Sequence, residues 1–247
     1  MLNSPKEIIN KARRELLVNN NPDTAIQLLL ESDEILKKDS DFYKNLSKVT
    51  LALAYQEKKE YKKAAEIYKE TGEKYQAGFC ELLSGNELEA EKLWYSCCAS
   101  SPAAHWGMCL LDFINLRPQP NIPSYLQIRN FLEMDIGTFI IANKIHYAEN
   151  VIKNDKVLAS VNLESYKLIG RALLNFGFLN QARKYLIKSV EIVDQDSETF
   201  YHLGQYNYAI GAYQESIKML KRCLELNSYY VPAVTLLKKV HLKQASL

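Results

Sequence analysis

The chain has 247 residues, of which 47% are hydrophobic and 24% charged, and its formal net charge is only +2. This composition is typical of a folded protein and excludes the disordered class, and a nearly neutral chain has no global attraction to nucleic acid or to an anionic membrane. We therefore expect protein partners, with no nucleic acid and no membrane.

Targeting and disulfide signals are weak in this sequence. Residues 1–10 hold no apolar segment of the secretory kind, and no run approaches the roughly 18 apolar residues of a membrane-spanning helix. The five cysteines are an odd number and lie inside helical patterns, which argues against a disulfide scaffold. We predict an intracellular protein, nuclear or cytoplasmic.

Helix signals begin at the N-terminus. Residues 4–7 supply an N-cap serine, a proline at the first helical position and a capping-box acid, which predict a helix to about residue 18. An Asn-Pro-Asp sequence at residues 21–23 predicts a second helix to about residue 37.

A stronger pattern of large and small residues at helical spacing follows. It occurs first in LALAY at 51–55 and then in YKKAAEIY at 61–68. The next small residue of this type, Ala90, follows Ala64 by only 26 residues. The sequence therefore predicts one helix pair here and then a shortened helix over residues 74–84.

The middle of the chain is less regular. A Ser-Pro cap at residues 101–102 starts a helix that contains HWGMCLL at 105–111. Three of the seven prolines then fall within residues 117–123, which predicts a loop. Helices near residues 124–134 and 136–153 are expected to follow.

The C-terminal third contains one pattern twice. Gly170 and Gly204 are 34 residues apart, and the small residues Ala182 and Ser216 follow them at the same offset. Small residues at these places predict close helix crossings that large neighbours fill. Residues 230–244 repeat the first helix alone, with lysines on one side, as in a capping helix.

A large residue, two others and Leu-Gly, followed by a small residue four positions before a large one, resembles the tetratricopeptide repeat (TPR) at its own 34-residue period. The resemblance implies an all-α solenoid of stacked helix pairs, with about fourteen helices in this chain. It divides the chain into irregular pairs over residues 1–153 and two regular repeats with a capping helix over residues 154–247.

The first helices of a TPR array line its concave groove, which implies a partner site on these helices. The residues expected there are Lys167, Arg171, Asn175, Tyr201, His202, Gln205 and Tyr208. Lys167 and Arg171 are one turn apart, a spacing that favours binding of a peptide carboxylate. TPR domains that clamp chaperone C-termini have Lys and Asn at this spacing, and here Arg171 replaces the Asn.

Candidate catalytic and metal-binding residues are few. His105 and Cys109 share a helix face near the cysteines at 97–98, but adjacent cysteines lack the usual Cys-x2-Cys chelate geometry, and helical cysteines are usually buried apolar residues. His146 and Glu149 also share a face, without a nucleophile, phosphate loop or metal motif nearby. We therefore predict no catalytic residue, no metal and no cofactor, and expect that the chain is not an enzyme.

Residues 45–153 resemble the N-terminal region of the TPR scaffold subunits of the anaphase-promoting complex, the cyclosome ubiquitin ligase. The resemblance is carried by LALAY at 51–55 with EYKKAA at 60–65, by the shortened unit over 74–94 and by HWG at 105–107. It implies a cell-cycle scaffold subunit of the ubiquitin pathway, or the N-terminal domain of one. Those subunits have a longer C-terminal superhelix than this chain. The alternative is a generic TPR adaptor that holds a peptide in its groove.

The resemblance also implies pairing with a second copy through the N-terminal region. The first two helices contain more apolar residues than one buried stripe needs, namely Leu16, Leu17, Val18, Leu28, Leu29 and Leu30. We predict a homodimer formed mainly through residues 1–150. The alternative is that these side chains pack under the next helix pair.

Overall fold

A computed structural model of the chain describes residues 4–245, and the regular structure within this range consists of sixteen α-helices. In chain order they are α1 (Pro5–Leu17), α2 (Pro22–Glu31), α3 (Asp33–Lys37), α4 (Asp41–Glu57), α5 (Tyr61–Glu70), α6 (Lys74–Ser84), α7 (Glu87–Tyr95), α8 (Pro102–Ile114), α9 (Tyr125–Ile141), α10 (Ile145–Lys153), α11 (Asp155–Val161), α12 (Ser165–Asn175), α13 (Leu179–Ile192), α14 (Ser197–Ala209), α15 (Tyr213–Leu226) and α16 (Val231–Ala245). Across the described range, no helix combines the length and the apolar character needed to cross a membrane.

The chain divides into two compact units between Leu111 and Asp112, here called unit 1 and unit 2. In unit 1, α1 packs on α2 and α4, and α4 to α7 pack in succession. In unit 2, α9 packs on α10 and α12, and α12 to α16 pack in succession. The predicted all-α fold of TPR-like helix pairs is confirmed. The predicted division near residue 153 was based on repeat regularity and stays a prediction.

The short α6 and α7 of unit 1 are organised around Trp94, which is fully buried. Its indole Nε1–H donates to the Tyr75 carbonyl at 3.0 Å. A Cβ on Gly78 or on Gly107 would lie 2.4 Å from the indole ring. Glycine at both positions therefore lets helices pass on either side of one large side chain, and the shortened helix predicted over residues 74–84 is confirmed as α6.

The two regular repeats of unit 2 have equivalent helix crossings. A Cβ on Gly170 would lie 2.8 Å from Leu186 Cγ, and one on Gly204 would lie 2.7 Å from Leu220 Cδ2. Ser216 strengthens the second crossing, since its hydroxyl donates to the Gly204 carbonyl at 2.8 Å. The 34-residue register of the sequence is thus a register of contacts in space.

The N-terminal caps form as predicted, but the second helix is shorter than expected. Ser4 Oγ accepts a hydrogen bond from the Glu7 N–H, and Asn21 Oδ1 accepts one from the Thr24 N–H. The helix predicted to run to residue 37 ends at Ser32 and restarts as α3. Serine and aspartate in succession are poor helix-interior residues, which accounts for this break.

The helix boundaries predicted between residues 124 and 153 were wrong. We expected a break at Asp135, but this side chain is buried and α9 continues to Ile141. The chain turns instead at Asn143, whose φ of +58° is in the left-handed region that asparagine tolerates. An additional short helix, α11, follows α10. With α3, it raises the count from the expected fourteen to sixteen.

The proline-rich loop predicted over residues 117–123 is present and is held by the buried carboxylate of Asp112. This carboxylate accepts hydrogen bonds from the Arg117 guanidinium and from both the backbone and the side-chain amide of Asn121, each at 2.7 Å. Because Asp112 is only 2% exposed, these bonds form where water does not compete strongly. The loop is therefore fixed at its base.

Candidate interaction site on the first helices of unit 2

The seven residues predicted to line a groove lie on two helices that contact each other in unit 2. Lys167, Arg171 and Asn175 are on α12, and Tyr201, His202, Gln205 and Tyr208 are on α14. Their exposure differs: two are buried (Lys167 and His202), one is exposed (Asn175), and the others are half-buried. We call these seven residues the first-helix face.

Lys167 is a structural cation within this face. Its side chain is 7% exposed, and its Nζ lies 2.9 Å from Glu198, 3.0 Å from Asp196 and 3.5 Å from Glu164. Burial works to lower the pKa of Lys167, but the hydrogen bonds to Glu198 and Asp196 outweigh it and raise the pKa. All three ammonium hydrogens are thus directed at carboxylates of the same chain.

Arg171 links three helices. Its Nε donates to Glu133 on α9 at 2.7 Å, its Nη2 donates to the same carboxylate, and its Nη1 donates to Glu198 on α14. Burial opposes the charged form, but the bonds to Glu133 keep the pKa of Arg171 above its ordinary value. The planar guanidinium therefore fixes α9, α12 and α14 against one another.

Glu198 is the carboxylate shared by both cations. Its pKa is held well below the usual range by His202, Lys167 and Arg171, which outweigh the opposing effect of burial. His202 Nε2 is 3.8 Å from Glu198 Oε1, beyond hydrogen-bonding distance, so the ion pairs with Lys167 and Arg171 supply the short contacts. Glu198 occupies the place that a bound peptide carboxylate would take between these two cations.

His202 belongs to a short chain of polar side chains. Its Nδ1–H donates to Gln205 Oε1 at 2.7 Å, and Gln205 Nε2 donates to the Tyr201 hydroxyl at 3.0 Å. The Tyr201 ring in turn lies 5.2 Å from the ring of Tyr230. His202 is held in place by its neighbours, and its buried Nε2 has no hydrogen-bond partner within residues 4–245.

The accessible part of the first-helix face is therefore made of amides and phenols. Asn175 is exposed, and Tyr201, Gln205 and Tyr208 are half-buried. Lys239 Nζ lies 5.2 Å from the centre of the Tyr208 ring, a cation–π contact. These groups offer hydrogen bonds and aromatic surface, whereas the fixed charges beneath them are paired.

Sequence reasoning placed the seven residues on the correct helices but missed the acids that engage them. Glu133, Asp196 and Glu198 were not named as part of the site. Asp196 had a recognisable signal, because it precedes α14 as an N-cap and accepts from the Glu198 N–H and the Thr199 hydroxyl. Glu133 had no such signal, since its contact with Arg171 spans 38 residues.

The other candidate sites show no catalytic or metal-binding arrangement. Cys109 Sγ is 3.8 Å from His105 Nδ1, while the Cys97 and Cys98 thiols donate to carbonyls of their own helical turn. Within the described residues, no three metal-ligating side chains come together. The His146 ring lies against Tyr147, with ring centres 4.3 Å apart.

The paired helices, the 34-residue register and the glycine crossings define the class of the chain as a TPR-type helical repeat protein. The resemblance to TPR proteins found in the sequence is confirmed at the level of the fold.

No family model and no curated protein matches the chain. Two solved structures are similar to it. One is a chain of the crystal structure of the APC/C hetero-tetramer Cut9-Hcn1, with 16% identity and a TM-score of 0.42 over 96% of this chain and 43% of that chain. The other is a chain of the TPR2AB-domain:pHSP90 complex of yeast Sti1, with 11% identity and a TM-score of 0.36 over 96% of this chain and 98% of that chain. This chain spans less than half the length of the first.

Proposed function

We propose that the chain is a non-catalytic scaffold that binds other proteins, and that the first-helix face of unit 2 is one of its binding surfaces. One observation carries the proposal: Arg171 joins α9, α12 and α14 beneath a row of accessible amide and phenol groups. A surface fixed in this way loses little conformational freedom when a partner binds. Side-chain amides such as Asn175 and Gln205 both donate to and accept from a peptide backbone.

The internal ion pairs favour one kind of ligand over another. A terminal carboxylate would have to displace Glu198 or Glu133 from the cations, whereas a peptide backbone needs no free charge. The proposal is therefore a partner segment held through its main chain and its apolar or aromatic side chains. Binding of a chaperone-type C-terminal carboxylate at Lys167 and Arg171 remains the competing prediction.

A matched pair of variants tests the surface. Asn175→Ala/Gln205→Ala removes two amides from the first-helix face, and Asn180→Ala/Gln214→Ala removes two exposed amides from second helices. We expect proteins captured by the full chain to be lost with the first variant and kept with the second. Equal capture by both variants would contradict a binding role for this face.

The finer proposal is that the chain is a scaffold subunit of the anaphase-promoting complex, or the N-terminal part of one, in the nucleus or cytoplasm. It is supported by the sequence resemblance over residues 45–153, which includes the short unit around Trp94. Mass spectrometry of the captured proteins tests this identity. Cyclosome subunits support it, whereas unrelated proteins that share a short motif favour the generic adaptor.

We also propose a homodimer through the N-terminal half. Leu17, Val18 and Leu30 are 63%, 73% and 51% exposed, while Leu16 and Leu29 are buried in the core of unit 1. Three exposed apolar side chains on neighbouring helices support a second apolar surface beside the core. The alternative, that all of these residues pack inside the unit, accounts for Leu16 and Leu29 alone.

Light scattering tests the dimer at concentrations of roughly tens of micromolar. We expect twice the chain mass of 28.4 kDa. Leu17→Lys/Val18→Lys should give the monomer mass, and Leu242→Lys, which changes an equally exposed leucine on α16, should leave the dimer intact. A wild-type mass near that of one chain would refute the dimer.

A further inference from the structure

An open pocket of about 400 Å³ lies in unit 2 between the second helices α10 and α13. It is lined along eight residues of α10, from Ile145 to Lys153, which is about 12 Å of helix. The pocket does not include any residue of the first-helix face. It is thus a second concave surface with a different lining.

The irregular chain path explains why this space is unfilled. In the regular repeats, the second helix α13 packs along the next first helix, α14. The corresponding α10 does not pack along α12 in this way, because α11 (Asp155–Val161) follows it and makes the contact with α12. The inserted helix therefore leaves α10 and α13 facing each other across a gap.

The floor of the pocket is apolar on both sides. Ile145, Ala148 and Ile152 are at positions i, i+3 and i+7 of α10 and so form one face. Opposite them, the side chains that complete the floor include Leu173, Phe178 and Tyr185. Ile145 is 40% exposed, so part of this apolar lining is in contact with water. Covering it would be favourable.

The rim carries two lysines that have no acidic partner. Lys153 Nζ bonds to Asn150 Oδ1 at 2.9 Å, and Lys184 Nζ lies 5.8 Å from the centre of the Tyr185 ring. Neither forms an ion pair within the described part of the chain. By contrast Lys188, one turn beyond Lys184, pairs with Asp155 at 2.7 Å.

The remaining charge on the rim is Glu149, so the opening carries a net positive charge. An acidic group is favoured at such an opening, and a basic one is disfavoured. The apolar floor and the cationic rim together define the chemistry of the missing occupant.

We propose that this pocket binds a short segment of a partner protein, which inserts one or two large apolar side chains between α10 and α13 and places a carboxylate against Lys153 and Lys184. A protein segment fits the shape better than a small molecule does. The pocket is an open cleft between two helices, and small ligands are usually enclosed over most of their surface. Helices and extended segments bind such clefts by inserting side chains while their backbone stays outside.

The test is a selection of random dodecapeptides displayed on phage against the full chain, followed by fluorescence-polarisation titration of the enriched peptides. The pocket variant is Lys153→Glu/Lys184→Glu, which reverses two exposed charges. The control is Lys218→Glu/Lys221→Glu on α15, which makes the same change in net charge. Lys218 is the counterpart of Lys184 one repeat later.

We expect an enriched group of peptides with a large apolar residue next to Asp or Glu. Their dissociation constants should rise at least about tenfold with the pocket variant and change little with the control variant. A second variant, Gln181→Trp, fills the cleft from its exposed rim and should weaken the same peptides.

Several results would overturn the proposal. One is an absence of enrichment, and another is a set of peptides that bind wild type and pocket variant equally, which includes peptides that occupy only the first-helix face. Binding of dodecanoate that depends on Lys153 and Lys184, without any peptide binding, would assign the pocket to small apolar acids instead. Because the pocket and control variants leave the first-helix face unchanged, failure here is distinguishable from failure of that site.

Discussion

Replacing Gly204 with leucine tests the repeat register at its closest helix crossing. The new Cβ would lie 2.7 Å from Leu220 Cδ2, whereas carbon atoms normally approach to about 3.5–4.0 Å. The helices must therefore separate by about 1 Å or Leu220 must leave its position. Overpacking of this kind costs about 1–3 kcal/mol for small insertions, and leucine brings three further carbons. Leucine regains about 1 kcal/mol of helix propensity over glycine, so we expect a net loss of about 2–3 kcal/mol.

The assay for Gly204→Leu is thermal and urea unfolding followed by far-ultraviolet circular dichroism. A loss of this size should lower the melting temperature of unit 2 by about 5–10 °C. Leu220→Ala removes the obstructing side chain, so adding it to Gly204→Leu should cost less than the two changes measured separately, by about 1 kcal/mol or more. An unchanged melting temperature, or strictly additive losses, would refute the assigned crossing.

Three further predictions concern the charges and the cysteines. Lys167→Met leaves Glu198 and Asp196 without their buried cation and should cost about 3 kcal/mol or more in urea unfolding, a loss that adding Glu198→Gln should partly reverse. The folded-state pKa of Glu198 lies below its ordinary value of 4.5, so its stabilising effect is complete above about pH 4.5 and is lost as the pH falls below it. Wild type should therefore lose more stability than Glu198→Gln in acid, and parallel pH profiles would contradict this. Dialysis against a strong chelator should leave helicity and melting temperature unaltered, whereas unfolding would restore the zinc hypothesis for His105 and Cys109.

Local signals were sufficient to predict most of the fold. Caps such as Ser4 and Asn21, and the repeated Gly170 and Gly204, act through neighbours within one helix or one helix pair, so they are readable without a structure. The α9 boundary was missed for the opposite reason. Asp135 has the propensity of a helix breaker, but its burial inside unit 2 decides the outcome.

The candidate site was predictable only in part. The repeat period places Lys167, Arg171 and Gln205 on the first helices, and the structure agrees. The charge state of the site was not predictable, because Glu133 reaches Arg171 from a helix whose spacing does not follow the period. A motif therefore located the cations, while the irregular helix decided that they are already paired.

The burial of Trp94 between two glycines also provides a spectroscopic probe. The chain has two tryptophans, and both Trp94 and Trp106 are fully buried in unit 1. Selectively excited indole fluorescence therefore reports the unfolding of residues before 112, whereas circular dichroism reports the helices of both units. Recording both signals in one unlabelled sample distinguishes a single cooperative transition from two separate ones, since coincident curves are required for the first.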